Sequence, residues 1–246
     1  MAKKNIESYS QEVLPHLEDL IDRNNDVMSR VSSKLVKCVK KNGSLFIFGS
    51  GHSALTAMEF YHRAGGPSFV IPVVADYLLP IAGPPIVRLL ERTPGVVSPL
   101  LMRAKPRRGD MLWIFSQSGI NSAAIDLAMD ASKYGILCVA FTSLTHSKSV
   151  KSRHASGKRL FEICDDIVDL GGRPGDAMVK ISDEVFAGPL STLSGVLLGH
   201  SILVSAMSQL EADGVRCVYT SVNTRNGEKR NAGLEKKACI RDPLLR

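Results

Sequence analysis

The chain has 246 residues, 44% hydrophobic and 22% charged, the balance of a soluble globular protein with room for one large domain. Its formal net charge of +7 favours anionic ligands. Aromatics make up only 6%, and no helix-turn-helix, zinc-finger or aromatic ribonucleoprotein motif is present, so no nucleic-acid partner is expected. No window holds 18 uncharged apolar residues, and the N-terminal MAKKN leads into a polar amphipathic segment, so no membrane partner is expected and the cytoplasm is the expected compartment. Cys38, Cys138, Cys164, Cys217 and Cys239 are scattered with no CxxC spacing, which argues against a zinc site or a disulfide framework. No metal and no other cofactor is expected, and Cys138 and Cys164 read as small core residues.

Residues 6–41 read as one long helix or two in sequence. Val13, Leu14, Leu17, Leu20, Ile21, Val27, Met28, Val31, Leu35 and Val39 recur at three- and four-residue steps. Pro15 marks a kink or a new start, and Asn42-Gly43 ends the helix. Alternation follows: strand 44–48, helix 53–63, strand 68–74, then a proline-rich stretch over 76–103 with room for short helices. Strand 110–115, helix 121–134 ended by Gly135, strand 136–141, helix 158–164 and strand 166–170 come next. A long apolar helix spans 190–212, and the last 25 residues are polar and basic and are expected to wrap over the surface. Near-continuous apolar strands alternating with helices predict an α/β three-layer αβα sandwich, a single domain with a five-stranded parallel sheet. The leading strand order is 2-1-3-4-5, the flavodoxin-like arrangement.

In that order strands 1 and 3 are neighbours, and their carboxyl ends flank the switch point where open α/β sheets bind ligands. The loop after strand 1 is Gly49-Ser50-Gly51-His52-Ser53, and the loop after strand 3 is Ser116-Gln117-Ser118-Gly119-Ile120-Asn121. Both open helices, so two sets of free amides and positive dipole ends converge. Glycine permits close backbone approach, and serine adds hydroxyl donors. A phosphate monoester needs that combination. Ser53 and Asn121 could equally be plain helix caps. The chain lacks the GxxxxGK[ST] of a triphosphate-binding loop and the GxGxxG of a dinucleotide site.

The stretches FGSGHSALTAMEFYHRAGG and IFSQSGINSAAIDLAMDASKYGILCVAFTS resemble the sugar isomerase (SIS) family of phosphosugar-binding proteins. The stretch SVKSRHASGKRLFEICDDIVDLGGRPGDAMV is similar to a bacterial subgroup described as phosphosugar or phosphoheptose isomerases. The resemblance covers roughly residues 6–212 and, more loosely, the tail. It implies a phosphate clamp on Ser116, Gln117, Ser118 and Asn121, with Ser50, Gly51, His52 and Ser53 against the sugar. Thr142 and Ser143, after strand 4, are expected to face the same mouth. His154 and Lys158, with Arg153, either meet the anion or cap the next helix. Asp176 is a further candidate, with an ordinary turn as its alternative.

The activity implied is aldose–ketose isomerisation without a cofactor, which moves a proton between C1 and C2 through an enediol. It needs a base, an acid for ring opening and a polarised carbonyl. Glu59 and His62, three apart on the expected first-loop helix, would share one side of it. In the characterised heptose isomerases and muramic acid phosphate etherases a catalytic Glu stands ten positions after the loop Ser. Here that position is Arg63, and Glu59 either takes the role or pairs with Arg63 at i,i+4. His200, in STLSGVLLGHSILVSAM, is either a packed core residue or the catalytic His that heptose isomerases carry on a late helix. The competing expectations are a non-catalytic phosphosugar sensor and a phosphosugar lyase or etherase. The long first and last helices suggest a homodimer or homotetramer.

Overall fold

The computed structural model describes residues 2–245. Helix α1 (Ala2–Lys40) is one element, not two, and carries Pro15 within it. The amide that proline lacks falls where the helix is exposed, so solvent rather than the core meets the gap. Met28, Val31, Leu35, Val36 and Val39 bury one stripe of α1 in the core, whereas Leu14 and Ile21, expected in that stripe, are exposed. The helix ends at Asn42, which takes the left-handed conformation (φ 59°) usual after a helix C-terminus.

The sheet has the expected order: β2 (Val70–Pro72), β1 (Leu45–Gly49), β3 (Met111–Phe115), β4 (Leu137–Thr142) and β5 (Asp166–Asp169), all parallel. Side chains alternate across it, as the two-residue period of a strand requires. Phe46, Phe48, Leu112, Ile114 and Ala140 face one layer, made by α4 (Ser98–Arg103) and α5 (Ser122–Lys133). Leu45, Ile47, Trp113, Phe115 and Phe141 face the other, made by α1, α2 (His52–Met58) and α7 (Ser191–Ala212). On this second face Phe115 stacks on Phe141 at 4.3 Å, and Phe60 stacks on Phe115 at 5.6 Å. By length and composition α7 would suffice for a membrane span, but half of that stretch is buried inside the fold.

The proline-rich segment holds turns of 3-10 helix at 76–78 and 80–82, then α3 (Pro84–Leu90) and α4. Three expectations are corrected. The first-loop helix stops at Met58 rather than running to 63, and the chain turns at Glu59 so that the Phe60 ring enters the core beneath Gly199. The segment 158–164 is not a helix beyond a single 3-10 turn at 160–162. The Leu160 amide is bonded to the Gly119 carbonyl at 2.8 Å and the Arg153 amide to Ile120 at 3.0 Å, which holds the preceding chain open. The tail does more than wrap the surface. Residues 217–219 pair with 65–68 in antiparallel fashion, and α8 (Gly227–Ala238) follows. A hairpin of β6 (Ala177–Lys180) and β7 (Phe186–Pro189), not foreseen from sequence, lies between β5 and α7, and the short α6 (Leu144–Ser149) follows β4. Cys38, Cys138, Cys164 and Cys217 are free thiols, and burial pushes those of Cys38 and Cys138 up to about 12.

Gly49 ends β1 where α2 folds directly back on it, and a methyl group there would overlap the Ser53 carbonyl. Gly49→Ala therefore requires the loop to shift. Urea denaturation is expected to show a loss of about 1–3 kcal/mol, the usual cost of overpacking; unchanged stability would refute the tight-approach account.

Candidate functional site

The β1–β3 ladder runs from Leu45↔Met111 to Gly49↔Phe115, so the two small-residue loops leave the sheet side by side. In the first loop Gly51 (φ 57°) donates its amide to Leu78 at 2.8 Å. Helix α2 starts at His52 with Gly51 as its cap residue and no side-chain cap bond, so Ser53 is inside the helix and does not cap it. His52 is exposed, and Ser50 and Ser53 are half-buried.

In the second loop the Gln117, Gly119 and Ile120 carbonyls are held by the segment 142–160. The Gln117 carbonyl accepts from Thr142 Oγ1 (3.2 Å) and the Ser143 amide (3.0 Å), and the Gly119 and Ile120 carbonyls accept from Leu160 and Arg153. The Gly119 amide donates to Ser116 Oγ at 3.3 Å. Among the described residues, the amides of Gln117, Ser118, Ile120 and Asn121 donate to no protein acceptor. A loop with carbonyls tied back and amides free is a nest for an anion. Gly119 permits it, because φ is 61° and a Cβ would stand 2.9 Å from Thr142 Oγ1.

A cation and an acid stand beside this nest. The Arg153 guanidinium donates to Asn121 Oδ1 at 2.9 Å, so Asn121 holds the arginine and its side chain does not cap α5. Glu91, directly after α3, accepts from Ser50 Oγ at 3.2 Å and also interacts with Asn121 and Arg153. Burial raises its carboxyl above the usual value, against the lowering effect of Ser50, Arg92, Arg153 and Asn121. Glu91 thus bridges both loops. Sequence reasoning missed it because it lies in an irregular segment with no motif. His146 was also missed. It sits in α6 with Nδ1 buried and unpartnered, and burial lowers its pKa against the influence of Asp176.

Other expected residues have different partners. Ser143 is fully buried, and its Oγ accepts from the His146 amide at 3.1 Å, so it caps α6 rather than facing the mouth. His154 bonds Asp126 through Nε2 (2.9 Å) and Ser156 through Nδ1 (2.7 Å), which points it at α5. Lys158 is exposed, and its charge bears on Glu162 instead. Gln117 reaches Gly171 O (3.3 Å) and Asp176 Oδ1 (3.4 Å) through Nε2, leaving Oε1 buried and unpartnered. Asp176 (φ 69°) caps α7, accepting from the Ser191 amide at 2.9 Å and its hydroxyl at 2.6 Å. Ser118 and Ser116 remain half-buried at the nest.

The expected catalytic trio is split. Because α2 ends early, Glu59 and His62 do not share a helix face. His62 (φ 41°) pairs with Glu235 of α8 at 3.2 Å and packs on the Tyr219 ring. Glu59 and His200 do meet, with His200 Nε2 3.4 Å from Glu59 Oε1, and Arg63 bonds the same carboxylate oxygen. His200 stands nine residues into α7 from Ser191, about 13 Å down the helix from the mouth. The pair therefore lies between the end of α2 and the middle of α7, beside the buried Phe60 ring and set back from the nest of its own chain. Among the described residues, no three His, Cys, Asp or Glu side chains are grouped to hold a metal.

Residues 8–143 match the SIS domain family. The chain belongs to that family. A UPF0309 protein of Shouchella clausii is 34% identical over 93% of this chain and 94% of its own length. Among solved structures, the phosphoheptose isomerase of Neisseria gonorrhoeae superposes with a TM-score of 0.58 at 15% identity, over 85% of this chain and 100% of its own. An E. coli protein solved in complex with a phosphosugar superposes at 0.52 and 19% identity, over 87% of this chain and 93% of its own. The matched residues include the loop over 116–121, whose amides at Gln117, Ser118, Ile120 and Asn121 are free.

Burial and then the Arg63 guanidinium hold the His200 imidazole below its ordinary value of 6.5. As pH falls below that value the unfolded chain takes up a proton before the folded one, so this group lowers stability toward acid. In the Arg63→Leu variant the His200 midpoint should move upward by NMR titration; an unmoved midpoint would rule out the electrostatic role of Arg63.

Proposed function

We propose that this SIS protein binds a sugar phosphate at the carboxyl end of β1 and β3 and isomerises it between aldose and ketose through an enediol, with no cofactor. The free amides of Gln117, Ser118, Ile120 and Asn121 carry this reading. They take the phosphate oxygens, the Ser116 and Ser118 hydroxyls add donors, and Arg153 offsets the dianion's charge. The phosphosugar complex of the structurally similar E. coli protein supports a sugar phosphate as the ligand class. His52, Ser50 and Ser53 then face the sugar.

Glu91 is an acid–base group that touches both loops of the site. A carboxyl whose pKa burial has raised is suited to take a proton from C2 and return it to C1. The Glu59–His200 pair serves a neighbouring copy. It is flanked by exposed Leu55, Met58, Leu193 and Val204, which a second chain would cover in a homodimer or homotetramer. Light scattering at micromolar concentration should report a dimer or larger, and a monomer refutes this arrangement.

The Arg63–Glu59 ion pair favours a second reading, a non-catalytic phosphosugar sensor, because it occupies the carboxylate. Proton exchange separates the two. In deuterated water an isomerase labels C2 of a bound aldose phosphate, whereas a sensor binds without labelling. Glu91→Gln should retain binding and slow labelling by roughly 100-fold or more. Ser116→Ala with Ser118→Ala should weaken binding by about 1.5–3 kcal/mol per lost hydroxyl. Full affinity in the double variant would move the phosphate elsewhere.

A further inference from the structure

Away from the mouth, at the amino-terminal end of the sheet, lies a cavity of about 240 Å³ roofed by the C-terminal tail. Its apolar wall is Val39, Phe69, Ile71 and Val215. It shares Arg107 and Arg241 with a second cavity of about 200 Å³ that Arg103 and Lys105 also line. On its other side it shares Arg216 and Lys237 with a third, of about 510 Å³. The first cavity, the recess, is thus the middle one of three that neighbour each other through shared lining residues.

We propose that this recess is a second binding site, for a small organic anion that joins a phosphate group to an apolar body. The charge balance carries the phosphate. Arg241 is committed to the buried Asp110, with Nη2 at 2.7 Å. Among the described residues, Arg103, Lys105, Arg107, Arg216 and Lys237 form no ion pair with any carboxylate. The single carboxylate in the lining, Asp242, already accepts from the Tyr61 hydroxyl (2.7 Å) and the Leu244 amide (2.9 Å). These five cations come from three separate segments, 103–107, 216 and 237; Arg107, Arg216 and Lys237 line the first cavity itself, and Arg103 and Lys105 line its neighbour. A solvated charged face has no reason to be gathered around an apolar hollow. Lys105 is held at φ 50°, a conformation unusual for a lysine, in the turn that carries three of these cations.

The apolar wall carries the rest of the assignment. A bare inorganic ion leaves the half-buried Phe69 and Val215 against water, and an extended nucleic-acid backbone has nothing to place in a hollow of about 240 Å³. The site is separate from the mouth. Strands β1 and β3 are five residues long, so about 16 Å of sheet lies between their ends.

The test is isothermal titration of the full chain with phenyl phosphate, and with inorganic phosphate as the second probe. The Ser116→Ala, Ser118→Ala variant weakens the mouth, and in it one saturable phenyl phosphate event should persist. Adding Arg107→Gln and Arg216→Gln, both exposed side chains with no structural bond, should weaken that event by roughly tenfold or more. Arg107→Lys with Arg216→Lys should restore most of it. Inorganic phosphate should bind the recess several-fold more weakly than phenyl phosphate, by about the value of the buried ring area. The proposal is overturned if the serine variant shows no saturable phenyl phosphate binding, if the arginine substitutions leave affinity unchanged, or if both probes bind equally. The serine background keeps a failure here distinct from a failure of the sugar phosphate assignment.

Discussion

The parallel pairing of β1 with β3 is the constraint on which the rest of the molecule depends. Five consecutive register pairs, ending at Gly49↔Phe115, put the two small-residue loops side by side at the switch point. The pairing also sets which helices can meet. Phe115 stacks on Phe141 and receives Phe60, and Phe60 in turn lies beneath Gly199 of α7. Moving β3 by one residue would turn Phe115 and Trp113 to the opposite face and leave α2 and α7 without a floor.

The nest depends on a second layer that the loop does not itself contain. Thr142, Ser143, Arg153 and Leu160 draw the Gln117, Gly119 and Ile120 carbonyls backward. Amides pointing outward are the consequence, and they form a preorganised positive surface that needs no metal to attract an anion. The same segment brings Arg153 to Asn121 and, through Glu91, to Ser50 of the first loop. Both halves of the candidate site are thereby tied through one half-buried acid. Glu59 and His200 are excluded from that arrangement by geometry, since the end of α2 and the middle of α7 lie well below the mouth.

The two ends of the sheet carry different chemistry. The carboxyl end presents backbone amides and hydroxyls, with few full charges. The amino end is closed by the tail, where Arg241 on Asp110 and Tyr61 on Asp242 fasten the chain after α8. Asp110 also accepts from the Ser44 and Arg107 amides, so one buried carboxylate ties β1, β3 and the tail together. Removing it would leave the Arg241 guanidinium uncompensated in a partly buried site.

The amino-acid sequence by itself determined the strand order, the layers and the pair of loops at the switch point, because those follow from local signals. Apolar runs of five residues, helix periodicity and clusters of Gly and Ser are all read within a short window. It also marked Ser116, Ser118 and Asn121, whose spacing is a single loop's property. Tertiary structure decided the rest. Glu91 joined the candidate site because the chain leaving α3 brings it to Ser50 and Asn121, and nothing near it in sequence says so. His62 left the site because α2 must end for Phe60 to enter the core, and Ser143 and His154 were claimed by α6 and Asp126. The tail's basic residues gained a shared recess only when 217–219 paired with 65–68. Each of these is a contact between segments far apart in the chain, set by packing and by where backbone carbonyls point, and neither is written in residue type or periodicity.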